Sequence, residues 1–325
     1  MRPIRPAVSL ACLLSIFTGE TLATTNASDE LVYQFPNGTF VENVAVRANG
    51  NLLVSLVNVP ELWEINPSLP DAASRANRIQ RFNGSTMATG IAEVRPDVFS
   101  VSSGSEIYLV DMNASPPAVK PFASLQDTSL NGMAFLPAPS GSKVLVGDTS
   151  AGLVWSVDLD SAAYTIALWD ETMFPVPGVR TSLVGVNGLR YESSTGYLHY
   201  VNLSKELYCR VRIDPVTARA IGPYEIVRGG TMADDFALVP DGSSTVYLAG
   251  LDTNVIRKVG SDGRSEVVAG SLNSSAVAGA TSAAFGRLPG DEQTLFVTTG
   301  GAQRAPVNGT YSEGGKVVAV RLDVV

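Results

Sequence analysis

Groups that carry covalent chemistry are scarce in this chain. Its 325 residues include one histidine, His199, and two cysteines, Cys12 and Cys209. A single imidazole cannot build a zinc-binding histidine cluster, and neither a G-x-S-x-G motif nor a P-loop occurs, so zincin, serine-hydrolase and nucleoside-triphosphatase chemistries fall away. His199 lies inside a strand-like run, residues 197–202, where a core role is expected rather than that of a general base. Cys209 also sits in a strand, with no basic partner in view to hold a thiolate. Charge is sparse and acidic: 17% of residues are charged, 23 Lys and Arg face 31 Asp and Glu, and the net charge is −8. No basic stripe is available to neutralise phosphates, which excludes nucleic acid as an expected partner. Helical periodicity is missing between the apolar runs, and with it the case for a parallel α/β sheet.

What is present begins with a leader. Arg2 and Arg5 precede an apolar stretch at 7–17, and small residues follow before Thr24. This pattern predicts a secretory signal peptide, 1–23, cleaved after Ala23, and its apolar stretch is too short to span a membrane. Cleavage removes two arginines and Glu20, taking the charge from −8 to −9, and it removes Cys12, leaving Cys209 with no intrachain disulfide partner. Seven of the 16 asparagines stand in N-x-S/T sequons: Asn26, Asn37, Asn83, Asn113, Asn202, Asn273 and Asn308. That excess predicts glycosylation and passage through the secretory pathway, to the outside or a vacuolar lumen. Turn asparagines beside Gly and Ser are the plainer alternative for one or two of them, and Asn202 is the one nearest the channel-facing loops.

The remainder, 24–325, reads as one domain built from a repeat. Residues 186–214 form the clearest unit: an apolar opening, a polar turn with Gly196, a strand-like run, a second turn and an alternating run. Similar openings start at Val41, Thr89, Leu130, Ala233 and Thr281. Anchors taken at Asn43, Gly90, Asn131, Asn187, Asp234 and Ser282 are spaced by 47, 41, 56, 47 and 48 residues. A period in the forties with about four short strands per unit predicts an all-β, six-bladed β-propeller. Fourth strands are expected at 78–82, 119–122, 163–169, 224–227 and 265–268, but the last unit, ending at 316–323, has none. The run 31–35 has no blade of its own, so it is expected to complete the last blade and remove an exposed edge.

In such a ring, the loops leading into each innermost strand share a face with the loops joining second and third strands. The positions at those strand starts are Glu42, Asn131, Asn187, Asp234 and Asp235, oxygen-bearing side chains from four blades. They suit a hard divalent cation of the Ca²⁺ type, with waters completing its shell. The alternative is that they only bond neighbouring backbone. Around them, Met133 and the segment 170–185, with Met173 and Phe174, read as apolar substrate contacts. That long segment is either a lid or a local Ω-loop. A second long segment, 300–315, has glycines at both ends and Tyr311 within it, the pattern of a mobile flap. No organic cofactor is expected.

These residues resemble the senescence-marker/gluconolactonase-like six-bladed propellers. In that family a Glu in the first blade, an Asn in an N-G motif and a later Asp hold a divalent metal. Glu42 of V-E-N, Asn187 of V-N-G-L and Asp234 of A-D-D-F match them by position, while Asn131 of L-N-G-M matches a substrate-contacting Asn. The chain departs from the pattern at Asp235, where glycine is usual, and around Glu42, which lacks the G-E-x-P setting. The opening at 32–67 resembles a fungal secreted branch containing the hetero-Diels-Alderases of tropolone-sesquiterpenoid biosynthesis. That resemblance implies an enzyme joining a tropolone o-quinone methide to a humulene-type sesquiterpene in an apolar pocket at the channel mouth, with Glu42, Asp234 or Asp235 assisting loss of water and Asn131 bonding the heterodiene carbonyl. The competing expectation is a metal-dependent lactonase, in which the cation polarises a lactone carbonyl. A non-catalytic binding propeller is the third class.

Overall fold

A computed structural model describes residues 29–139, 141–179 and 184–322. The expected leader at 1–23 and the sequon at Asn26 lie outside the described residues. Short apolar runs such as VENVAV and LLVSL, punctuated by turn residues, pair into six antiparallel four-stranded sheets arranged as a propeller. The first blade runs Val41–Val46, Leu52–Leu56, Glu61–Ile65 and Ala76–Arg81 from the axis outward. The other innermost strands are Ile91–Arg95, Leu130–Leu136, Val186–Glu192, Phe236–Leu238 and Ala280–Phe285. No helix among the described residues is long and apolar enough to cross a membrane.

Local chemistry sets the turns between outer strands. The Asp158 carboxylate accepts from the N–H groups of Asp160 (3.1 Å) and Ser161 (2.9 Å), and Asp214 does the same for Val216 (3.1 Å) and Thr217 (2.7 Å). These turns mimic a backbone hydrogen bond with a side chain and need no other partner.

The last blade is closed by the N-terminal strand, as the missing fourth strand implies. Asp29–Gln34 pairs antiparallel with Lys316–Arg321, with Leu31 opposite Val318 and Gln34 opposite Lys316. The Phe35 N–H extends the ladder to the Gly315 carbonyl at 2.9 Å. Phe35 then turns inward and meets Tyr33 and Trp63 edge-to-face, with centroids 4.9 and 5.5 Å away, so one side chain joins the seam to the first blade.

The core lies between blades. Leu136, Leu145, Val154, Leu189, Tyr200 and Cys209 fill the gap between the third and fourth, and Met173 belongs to this cluster with no exposed surface. Of the two forms expected for 170–185, lid or local Ω-loop, the lid is corrected here over the described part, which packs locally on the blades. The Asn202 amide donates to the carbonyls of Thr172 and Phe174 at 2.9 Å each, clamping that segment to the fourth blade. The expected flap at 300–315 is also held down. Ala302 donates to the Ala278 carbonyl at 3.0 Å, Gln303 donates to that of Thr39 at 2.7 Å, and Ala278, Ala302 and Val307 form a small buried cluster.

Candidate functional site

The strand ladders define which residues are equivalent at the axis. The first paired residues of four innermost strands are Val41, Leu130, Val186 and Ala280. The next residues are therefore Glu42, Asn131, Asn187 and Thr281, and the backbone hydrogen bonds of Thr89 and Asp234 put those two in the same place. The true spacing is 47, 42, 56, 47 and 47 residues. The anchors Asn43, Gly90 and Ser282 sit one residue deeper and form a second ring with Gly132, Gly188 and Asp235. The register shifts here, so both residues of each blade face one residue of the second strand, and the two rings differ in their side-chain partners.

The first ring brings together four of the residues expected there. The Asn131 amide donates to Glu42 Oε1 at 3.0 Å, and the Asn187 amide donates to Asp234 Oδ1. Glu42, Asn187 and Asp234 are buried. Burial lifts the Glu42 carboxyl to about 7 against the hydrogen bond from Asn131, with the charge of Asp235 adding to the rise and Arg304 opposing it. Asp234 stands well above the usual carboxylate range, through burial first and then the charge of Glu42. Two acids in one dry ring resist ionising together, so the ring holds a proton easily and would welcome a cation. Arg304 supplies the nearby positive charge, reaching in from 300–315 and also contacting Asp252 at 3.4 Å. It was missed because an arginine in a long loop carries no signal of where it will point.

Asp235 belongs to the second ring. Its Oδ2 accepts from Asn43 Nδ2 (2.9 Å), Ser282 Oγ (3.1 Å) and Arg190 Nη2 (3.1 Å), and its Oδ1 accepts from the Phe236 N–H (2.7 Å). The three polar members of this ring, from the first, fifth and sixth blades, are thus tied together, and Arg190 of the fourth blade joins them. Glycine in the other three blades lets the backbones close in: a Cβ on Gly132 would lie 2.1 Å from the Asn187 carbonyl oxygen, and one on Gly188 2.1 Å from Asp235 Oδ1. Together these contacts make a neck between the two mouths of the channel.

The remaining expected site residues lie elsewhere. Met133 is buried between the second and third blades and borders a cavity beyond the neck, at the mouth opposite the carboxylates. Met173 is core and cannot touch a ligand at the mouth without unpacking. Phe174 packs on Trp169, with ring centroids 5.8 Å apart. Tyr311 is exposed on a rim groove beside Tyr33 and Pro36, where its hydroxyl donates to Glu313 at 3.1 Å. Asn202 is fully buried with its amide already committed, so this sequon is inaccessible in the folded chain. Asn37, Asn83, Asn113, Asn273 and Asn308 are exposed.

His199 and Cys209 are structural. His199 is fully buried, with Nδ1 2.8 Å from the Tyr208 hydroxyl and Nε2 3.4 Å from Glu192. Burial would raise Glu192, but hydrogen bonds from His199, Ser244 and Thr195 outweigh it and hold the carboxyl at about 2. The Ser244 N–H reaches Glu192 at 3.0 Å, so the network ties the fourth blade to the fifth. Burial pushes the Cys209 thiol up to about 12, which removes the thiolate.

As for a metal, no three His, Cys, Asp or Glu side chains group as ligands among the described residues. The donors available at the first ring are two carboxylates and two amides, all of the oxygen type that hard cations prefer, and the repulsion between Glu42 and Asp234 is what such an ion relieves.

No protein-family model matches the chain. It is 27% identical over 342 residues to a Phoma sp protein, covering 89% of this chain and 94% of that one. A Sarocladium schorii protein is 26% identical over 318 residues, covering 82% and 77%. Both carry the name hetero-Diels-Alderase, in each case as a provisional name. Among solved structures, a calcium-binding regucalcin from Agrobacterium tumefaciens superposes with a TM-score of 0.63 at 15% identity, covering 91% of this chain and 96% of that one. A luciferin-regenerating enzyme gives 0.66 at 14%, with the same coverage. In sequence the chain is similar to proteins named hetero-Diels-Alderase, and in fold it is a six-bladed propeller like regucalcin.

Proposed function

We propose that this chain is a hetero-Diels-Alderase-like enzyme of fungal secondary metabolism, secreted and glycosylated, that joins a tropolone o-quinone methide to a humulene-type sesquiterpene. The observation that carries this reading is similarity across most of the chain to two proteins of that name. The first ring supplies suitable chemistry. A carboxyl group raised to about 7 keeps its proton near neutrality, so Glu42 can protonate the hydroxyl that leaves as water when a hydroxymethyl tropolone becomes the heterodiene. The ring hydroxyl of the tropolone loses its proton in the same step and returns it to the Glu42 carboxylate, so the re-formed acid, or the Asn131 amide, can then donate a hydrogen bond to the heterodiene oxygen and lower the barrier. Cycloaddition itself forms one C–C and one C–O bond and expels no atom. Holding the two partners in a near-attack pose supplies on the order of 7–11 kcal/mol without a covalent group.

A second reading has its own observation, the paired acids Glu42 and Asp234 on a fold shared with a calcium-binding protein. Glu42, Asp234, Asn187 and Asn131 would hold a divalent cation, which when bound would polarise a lactone carbonyl. The test is to incubate the purified protein with a hydroxymethyl tropolone and a humulene alcohol, and separately with simple aldonolactones, each with and without chelator. Adduct above the uncatalysed background, surviving chelator and falling at least tenfold in Glu42→Gln, is the expected result. Fast, chelator-sensitive lactone opening with no adduct would replace the first reading by the second.

A further inference from the structure

Beyond the neck, the channel widens into a funnel of about 770 Å³ at the mouth opposite the carboxylate ring. Its wall is mostly apolar, with Ala45, Ile91, Phe135, Leu238, Ala284 and Phe285 drawn from five blades. Of the charged groups that line it, Glu93, Arg190, Glu192, Asp241 and Arg287, it is Arg190, on the innermost strand of the fourth blade, that is tied to the neck through Asp235. Its guanidinium lies 5.5 Å from the Phe236 ring centroid, donates through Nη1 to the Leu189 carbonyl at 2.7 Å and through Nη2 to Asp235 at 3.1 Å. A guanidinium has five N–H donors in a planar fork, and the rest of these find no acceptor among the described residues.

We propose that this funnel is a binding site for an uncharged, largely apolar small molecule that presents one carbonyl oxygen to Arg190. The charge balance sets the class. Arg190 is neutralised by Asp235, the rim pair Arg287 and Glu93 is closed at 2.5 Å, and Glu192 is saturated by hydrogen bonds. An anion entering the funnel would face Asp235, Glu192 and Asp241, and a cation would face Arg190 and Arg287. A neutral oxygen acceptor satisfies a free N–H without disturbing either pair, and the apolar body of the ligand covers wall that water otherwise wets. The volume lies within the range of drug-sized ligand sites. A second cavity of about 960 Å³ adjoins the funnel, sharing Glu93, Phe135 and Arg287 with it, so the rim ion pair stands between the two spaces. This inference stands on the funnel alone and does not depend on the reaction proposed above.

The probe is Prodan, an uncharged naphthyl ketone whose emission shifts to the blue in apolar surroundings, titrated against the intact protein. Saturable binding with a blue shift is expected. Ala284→Phe, which fills the wall without touching the ion pairs, should weaken it at least tenfold. The dimethylaminonaphthalene bearing a propyl group in place of the ketone should bind at least fivefold more weakly to the unaltered protein, and that difference should vanish in Arg190→Met. Circular dichroism establishes that the variants are folded, and if Arg190→Met is not, the ketone comparison and Ala284→Phe decide alone. The proposal is overturned if Prodan does not saturate, if Ala284→Phe binds as well as the unaltered protein, or if the ketone makes no difference. It is also overturned if Glu42→Gln abolishes binding while Ala284→Phe does not, because the probe then sits at the other mouth.

Discussion

A carboxyl group inside a dry ring must keep its proton, find a cation or destabilise the fold. Glu42 is raised from its ordinary 4.5 to about 7, so between those values the folded chain holds a proton that the unfolded chain has released. Stability contributed by the neutral form is complete below about 4.5 and is lost as pH rises through 7. Thermal unfolding followed with chelator present should therefore show a midpoint that falls by several degrees between pH 5 and pH 8. Glu42→Gln should flatten that slope, and a slope unchanged by the substitution would place the strain elsewhere. Added Ca²⁺ should raise the midpoint more at pH 8 than at pH 5, because only the ionised pair attracts it. At this scale the sequence was informative where a residue type recurs at one offset from a strand start, as with Glu42, Asn131, Asn187 and Asp234. It was silent on Arg190 and Arg304, because a long cationic side chain in a strand or loop reads as solvated surface. A sequon such as Asn202 is a three-residue pattern and says nothing about burial.

At the scale of elements, the strand runs and their period were legible because each blade repeats the same apolar alternation and the same turn chemistry. The anchors slipped by one residue in three blades because Asn43, Gly90 and Ser282 are polar or small, as their neighbours Glu42, Thr89 and Thr281 also are. Only the ladder pairing separates the two rings. The segment 170–185 stayed open between lid and local loop for a physical reason: Met173 and Phe174 are apolar whether they cover a ligand or plug a gap between blades, and here Met173 plugs the gap. The seam element Asp29–Gln34 was readable from the strand count, and its attachment can be tested at Phe35. This ring is 5% exposed and contacts both Tyr33 and Trp63. Phe35→Ala should cost about 3–5 kcal/mol by chemical denaturation, in the range of a buried aromatic truncation, with far-ultraviolet circular dichroism little changed. A cost below about 1 kcal/mol would mean that the seam is held by its backbone ladder alone.

Seen as one molecule, the propeller covers the third strand of its last blade with a segment from the start of the chain, which supplies that blade's outermost strand. Removing residues through Gln34 would leave Lys316–Arg321 as an edge, with its row of unpaired N–H and C=O groups facing solvent. That strand reads KVVAVR, five of its six residues are buried, and it carries charge only at its ends. Nothing in its centre would discourage pairing with another copy. The shortened chain should keep its other five blades, because those sheets are complete without the seam and pack on one another through their own clusters. Sedimentation velocity should then show concentration-dependent dimers and larger species where the intact chain gives its own fixed state. An added peptide with the sequence of residues 29–35 should suppress them by refilling the edge. If the shortened chain sediments as the intact one does at every concentration, the seam is not what protects the ring, and closure must rest on the packing between the first and last blades, where Val41, Val44 and Phe296 meet.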